Sequence, residues 1–165
     1  MPVSGTEEDC ARRAGGRELS DATVPRYFPF LTSSEEADLL RTASVRRFEG
    51  NEVVLEQNAV SQAIYVIEQG LIRIEQDEGG VLVPIARLGG GEFFGEMSFV
   101  DGEKTSAQAT TEGPTVIRVI DATLISSPTL GSDGFSGRFY RSISAILARR
   151  LRRAQSRFQS SNSWG

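Results

Sequence analysis

Between residues 45 and 120 the chain alternates short apolar segments with glycine-bearing turns, and that rhythm restricts the fold more than any other feature. Segments 45–48 and 53–55 flank Gly50-Asn51, and 63–67 is followed by Gln69-Gly70 and the alternating run Leu71-Ile72-Arg73-Ile74. Asp77-Glu78-Gly79-Gly80 reads as a hairpin loop before 81–88, and Gly89-Gly90-Gly91 interrupts the pattern ahead of Phe93-Phe94. Segments 106–111 and 116–120 close the series around Gly113-Pro114. Successive side chains of a strand point to opposite faces, so a period of two marks a half-buried strand. Short strands repeating at roughly 8–12 residues with glycine turns predict a sandwich or jelly roll rather than a parallel sheet.

Helices are predicted on both sides of this β region. Thr32, Ser33 or Ser34 can cap a helix with Glu35 and Glu36 in its first turn, running to about Ala43. Ahead of it, Tyr27-Phe28-Pro29-Phe30-Leu31 is an apolar patch expected to pack on the domain edge. Asp121 caps a short helix over 122–126, and 129–134 reads as a loop. Phe135, Phe139, Ile143, Ile146, Leu147, Leu151, Ala154 and Phe158 then fall at helical spacing, predicting an amphipathic helix of roughly 22–25 residues. The expectation is one mainly β domain over 25–158, a double-stranded β-helix or jelly roll with an N-terminal helix and a long C-terminal helix. Residues 1–24 are polar and read as a disordered leader, and 159–165 as a frayed tail.

Composition narrows the chemistry. The 165 residues include no His and one Cys, Cys10. Ser-His and Cys-His nucleophile pairs, His-ligated metals and haem, thiolate zinc sites and iron–sulfur clusters all lack their ligands. No metal site and no enzyme activity are therefore expected. The chain has no run of 18 apolar residues, and Glu7, Glu8 and Asp9 stand where a signal peptide needs a basic start. A cytoplasmic location follows as an expectation. Charge is uneven: seven of the 18 basic residues, all Arg, lie beyond Gly134 with no acidic residue among them. The rest of the chain holds 11 basic and 22 acidic residues.

The segment Phe94-Gly95-Glu96-Met97-Ser98-Phe99, followed by a loop ending in Ser106-Ala107, resembles the phosphate-binding cassette of cyclic nucleotide-binding domains. The flanking helix, the glycine turns at Gly50 and Gly70 and the long terminal helix are similar to bacterial single-domain members with the catabolite-activator roll. The resemblance covers about residues 31–158. It implies a regulatory module for cAMP, cGMP or a related small phosphorylated ligand, transmitting binding through the terminal helix in signal transduction. In that scheme Phe94, Gly95, Glu96, Met97 and Ser98 form the cassette turn, whose backbone N–H groups face the phosphate. Gly95 lets the backbone approach the ligand, and Glu96 accepts from a ribose hydroxyl. Thr105 occupies the place of the arginine that pairs bidentately with the phosphate. Its hydroxyl can donate one neutral hydrogen bond. Ser106 and Ala107 contact phosphate and base, and Lys104 joins the candidate set as the neighbouring cation, although strand alternation turns adjacent side chains apart.

Losing a buried charged partner costs roughly 3–5 kcal/mol, or on the order of 10²–10³-fold in affinity. An interaction scaffold with a degenerate pocket is thus the first alternative. A nucleic-acid binder is the second; with no helix-turn-helix domain expected after that helix, contact would have to come from its Arg-rich face alone. Homodimerisation through the helix and an unnamed effector protein are the expected partnerships.

Overall fold

The computed structural model describes residues 26–127, 130 and 133–161, with the side chains of 158–161 excepted. The leader over 1–24, residues 129, 131 and 132 of the 129–134 loop, the Phe158 side chain and residues 162–165 lie outside the described residues.

Eight strands form two four-stranded antiparallel sheets. They are β1 (Ser44–Phe48), β2 (Val53–Leu55), β3 (Ala63–Gln69), β4 (Leu71–Asp77), β5 (Leu82–Gly89), β6 (Phe93–Phe94), β7 (Gln108–Thr111) and β8 (Thr115–Asp121). One sheet runs β1-β8-β3-β6 and the other β2-β7-β4-β5. Consecutive strands therefore swap sheets, except β4 and β5, which pair as a hairpin within one sheet. The helices are α1 (Ser33–Thr42), α2 (Glu96–Asp101), α3 (Ala122–Ile125) and α4 (Phe135–Ser161).

Strand β3 shows why the chain folds this way. Its five residues 63–67 are all buried. Ala63, Tyr65 and Ile67 face the roll interior with Ile72, Phe94 and Ile117, whereas Ile64 and Val66 face a second core beneath the helices. A strand covered on both faces reads as a continuous apolar run, which is what the sequence carries. Phe93 and Phe94 repeat the split: Phe93 joins the helix-side core and Phe94 the interior of the roll.

Helix α1 begins with a capping box. Thr32 accepts from the Glu35 N–H, and the Glu35 carboxylate accepts from the Thr32 N–H. The next residue, Glu36, is buried and accepts from the backbone N–H groups of Tyr27 at 2.6 Å and Phe28 at 3.0 Å. Phe28 is thereby held against Phe93 and Phe139 in the helix-side core. Phe135, Phe139 and Ile143 of α4 are buried there too, and Ile146 and Leu147 pack partly against them. Each fully buried side chain of this size contributes roughly 1.5–3 kcal/mol. An ion pair from Arg138 to Glu35 ties α4 to α1.

Two boundaries differ from the sequence expectation. Segment 106–111 becomes a strand only at Gln108, because Thr105 is bonded to the distant 56–59 turn rather than to a neighbouring strand. Helix α4 runs to Ser161, past the expected end at Phe158.

Candidate functional site

A cavity of about 640 Å³ opens between the β2-β7-β4-β5 sheet, the cassette segment and the second half of α4. Its floor is apolar: Leu55, Ile74, Leu88, Phe94 and Ala109. Phe94 stacks on Tyr65, with ring centroids 5.1 Å apart and planes 10° from parallel. That stacking fixes the point where the chain leaves β6 for α2.

Gly95 starts α2 in the left-handed region at φ 82°. A Cβ there would lie 2.8 Å from the Ala63 carbonyl oxygen and 2.9 Å from the Tyr65 ring. Glycine is therefore demanded by close packing on β3, a different reason from the ligand approach expected from the sequence. Having no side chain, it gives α2 no side-chain cap, so no capping side chain takes up the first-turn N–H groups. Gly102 ends the helix in the same conformation, at φ 73°.

Of the nine residues singled out in the sequence, Phe94, Gly95, Glu96, Met97, Ser98, Thr105, Ser106 and Ala107 all line the cavity. Lys104 does not; it is exposed on the loop outside. Met97 and Ser106 stand at the rim, with the Ser106 Oγ 4.0 Å from the Met97 Sδ. The Ser98 hydroxyl donates to the Gly95 carbonyl at 3.3 Å.

Thr105 is the main correction. Its side chain is buried, and its hydroxyl donates to the Glu56 carbonyl at 2.5 Å while accepting from the Ala59 N–H at 2.9 Å. Its own N–H donates to the Ala59 carbonyl, and its carbonyl accepts from the Asn58 N–H. A hydroxyl has one proton, and this one is engaged with a backbone carbonyl. The neutral bond to a phosphate expected of Thr105 therefore has no free donor.

The same device recurs at Thr111. Its hydroxyl donates to the Glu49 carbonyl at 2.6 Å and accepts from the Glu52 N–H at 2.9 Å. Its backbone exchanges bonds with Asn51 and Glu52. In both turns an asparagine, Asn51 or Asn58, sits at φ 62°. Two threonines six positions apart each latch one left-handed turn, so Thr105 does in its turn what Thr111 does in the other.

The cations of the site come from α4. Arg150 forms an ion pair with Glu96, donates to the Phe93 carbonyl at 2.5 Å, and lies over the Phe93 ring at 5.4 Å. The Glu96 side chain is only 7% exposed and that of Arg150 32%. Arg153, Ala154 and Arg157 follow along the same wall of the cavity, and Arg87 enters from β5 with its guanidinium paired to Glu112. Sequence reasoning counted these arginines as a charged helix face and missed Arg150 as a partner of the cassette. The signal was the 150, 153, 154, 157 spacing, which marks one helical stripe; nothing local says that the stripe faces the roll.

Residues 45–126 match the family model of the cyclic nucleotide-binding domain. With a roll, cassette segment and terminal helix in this arrangement, the chain carries a domain of that family. It is 32% identical over 123 residues to cyclic GMP-binding protein C of Dictyostelium discoideum, a match covering 74% of this chain and 5% of that protein. It is 33% identical over 128 residues to the cyclic AMP receptor protein of Thermus thermophilus, covering 73% of this chain and 55% of the relative. The chain thus spans little more than half of the one relative and a small part of the other. A cyclic nucleotide-binding domain from Methylobacillus flagellatus superposes with a TM-score of 0.72 at 18% identity, over 82% of this chain and 76% of that one. No described helix is long and apolar enough to cross a membrane.

Proposed function

We propose that this domain is a non-catalytic regulatory sensor, in which a small anionic ligand of the cyclic-nucleotide kind enters the roll and its presence is passed on through the second half of α4. The observation that carries the reading is the Glu96–Arg150 ion pair, which joins the cassette to the helix beside an open cavity. A ligand hydroxyl that donates to Glu96 competes with Arg150 for the same carboxylate. Breaking that competition one way holds α4 down, and the other way frees it. A ligand shifts the helix only by its difference in affinity for the two arrangements, and a contact made by the same carboxylate that anchors the helix supplies such a difference.

Affinity for cAMP or cGMP is weak in this reading. The cassette loop turns no cation into the cavity, Lys104 being exposed outside it, and the Thr105 hydroxyl is engaged. Relative to a site with the loop arginine, roughly 10²–10³-fold is lost. The output passes to an effector protein or to a second copy through the exposed end of α4, in a cytoplasmic setting.

Isothermal calorimetry with cAMP, cGMP and cyclic dinucleotides tests the reading. Saturable heat is expected with at least one of them in the high-micromolar to millimolar range. No heat at millimolar ligand sinks the version with these ligands. A second reading, a ligand-independent scaffold, is favoured by the closed Thr105 latch. Thr105→Arg separates the two: a sensor gains about 10²-fold for cAMP, whereas a scaffold gains nothing. The Arg-rich face as a nucleic-acid contact predicts a gel shift that weakens steeply with salt.

A further inference from the structure

The distribution of charge and apolar surface inside the cavity says more about its ligand than the family does. Its floor of Leu55, Ile74, Leu88, Phe94 and Ala109 carries no side-chain hydrogen-bonding group. The loop wall contributes no cation to the cavity lining, and its one threonine donor is engaged with Glu56. Arg150 is held by Glu96 and the Phe93 carbonyl, and Arg87 is held by Glu112. That leaves Arg153 and Arg157, which line the cavity and form no ion pair among the described residues. They stand four positions apart, one helical turn, with the small Ala154 between them. Two guanidinium groups on one wall can hold a carboxylate or phosphate with charge-assisted bonds. An apolar floor below them prefers hydrocarbon or an aromatic body.

We infer that the cavity takes an amphipathic anion, with its apolar body on the roll floor and its charged head turned outward to Arg153 and Arg157 rather than inward to the cassette. This rests on the reading that the cavity is a ligand site and names the ligand class and orientation. A ligand polar along its whole length would strand its donors and acceptors against Leu55, Ile74 and Leu88. The head at the helix wall also couples the ligand directly to the second half of α4.

Octyl phosphate, with octanol and inorganic phosphate as its separate halves, is the probe. Titrated by calorimetry below its micellar range, octyl phosphate is expected to bind at least tenfold more tightly than either half. The Arg153→Ala/Arg157→Ala double variant weakens it at least tenfold, and Ala109→Leu, which fills the floor, does likewise. Arg152→Ala, off the cavity wall, leaves it unchanged. Binding that survives both the double variant and Ala109→Leu overturns the inference. Cyclic nucleotides that bind wild type and double variant alike, more tightly than octyl phosphate, overturn it while leaving the sensor reading intact. If neither octyl phosphate nor any cyclic nucleotide produces heat, both fall together.

Discussion

The two halves of α4 are built from similar residues and treated differently by the roll. In the first half Phe135, Phe139 and Ile143 are buried, Arg138 pairs with Glu35, and the Ser142 hydroxyl accepts from the Phe30 N–H at 3.0 Å. In the second half Leu151 is 61% exposed, and Arg152, Arg153 and Arg157 are exposed as well. What holds the second half down, among the described residues, is chiefly Arg150. An apolar side chain in the first half is a fold element. The corresponding side chain one or two turns later is surface, left for a partner or for motion. The difference teaches that one continuous helix has a half packed into the core and a half left at the surface, with the boundary near residues 147–150.

The largest break is expected from Phe139→Ala. Phe139 is fully buried and touches the rings of Phe28, Phe99, Phe135 and Tyr140. Removing it costs about 3–5 kcal/mol, read by urea denaturation. A loss under 1 kcal/mol would mean that the first half is not the anchor.

Arg150→Ala comes next. It leaves the Glu96 carboxylate buried without its cation, at about 2–3 kcal/mol, less than a fully buried pair because Arg150 is one-third exposed. Glu96→Gln in that background should return part of the loss, and the double-mutant cycle measures the coupling. Hydrogen exchange should rise beyond residue 147 and stay level before it.

Thr105→Val and Thr111→Val each remove a hydroxyl that bridges two backbone groups, at about 1–3 kcal/mol apiece. Thr105→Ser should restore most of it. If Thr105→Val instead leaves stability untouched and lowers affinity for an anionic ligand, Thr105 serves the ligand and not the turn.

The smallest effects lie at Asp121 and Leu151. The Asp121 carboxylate sits below the usual carboxylate range because it accepts first from the Thr123 N–H and then from its hydroxyl. A lowered folded value gives stability that is present above the ordinary carboxylate range and is lost as pH falls through the folded one. Asp121→Ala should remove that acid-side slope and about 1 kcal/mol of capping. Leu151→Ser should change monomer stability by no more than about 0.5 kcal/mol. If it lowers the mass seen by light scattering, the exposed half is where two copies meet.

Most of the fold was legible in the sequence. Glycine turns and period-two segments gave the strands, since each depends on local backbone and side-chain geometry. The short helical turn 96–101 was legible locally, bounded by Gly95 and Gly102 in the left-handed conformation, whereas its reading as a cassette came from the family resemblance. The site as a whole was not. Thr105 meets residues 46 to 49 positions away, and Arg150 meets Glu96 across 54. No period or spacing encodes those meetings; they follow from how the sheets close. The sequence therefore shows the missing arginine but not the reason Thr105 suits its place, nor that an arginine from another element stands beside the same pocket.

Helix α4 also has a mechanical consequence. From Leu147 to Ser161 the helix extends about 21 Å at 1.5 Å per residue. A tilt of about 10° pivoting at Leu147 displaces its far end by about 4 Å. Arg150 grips the arm only three residues from that pivot, where the displacement is under about 1 Å. In the sensor proposed above, the helix would act as a lever with its latch at the short end, enlarging a change in one ion pair several-fold by length alone.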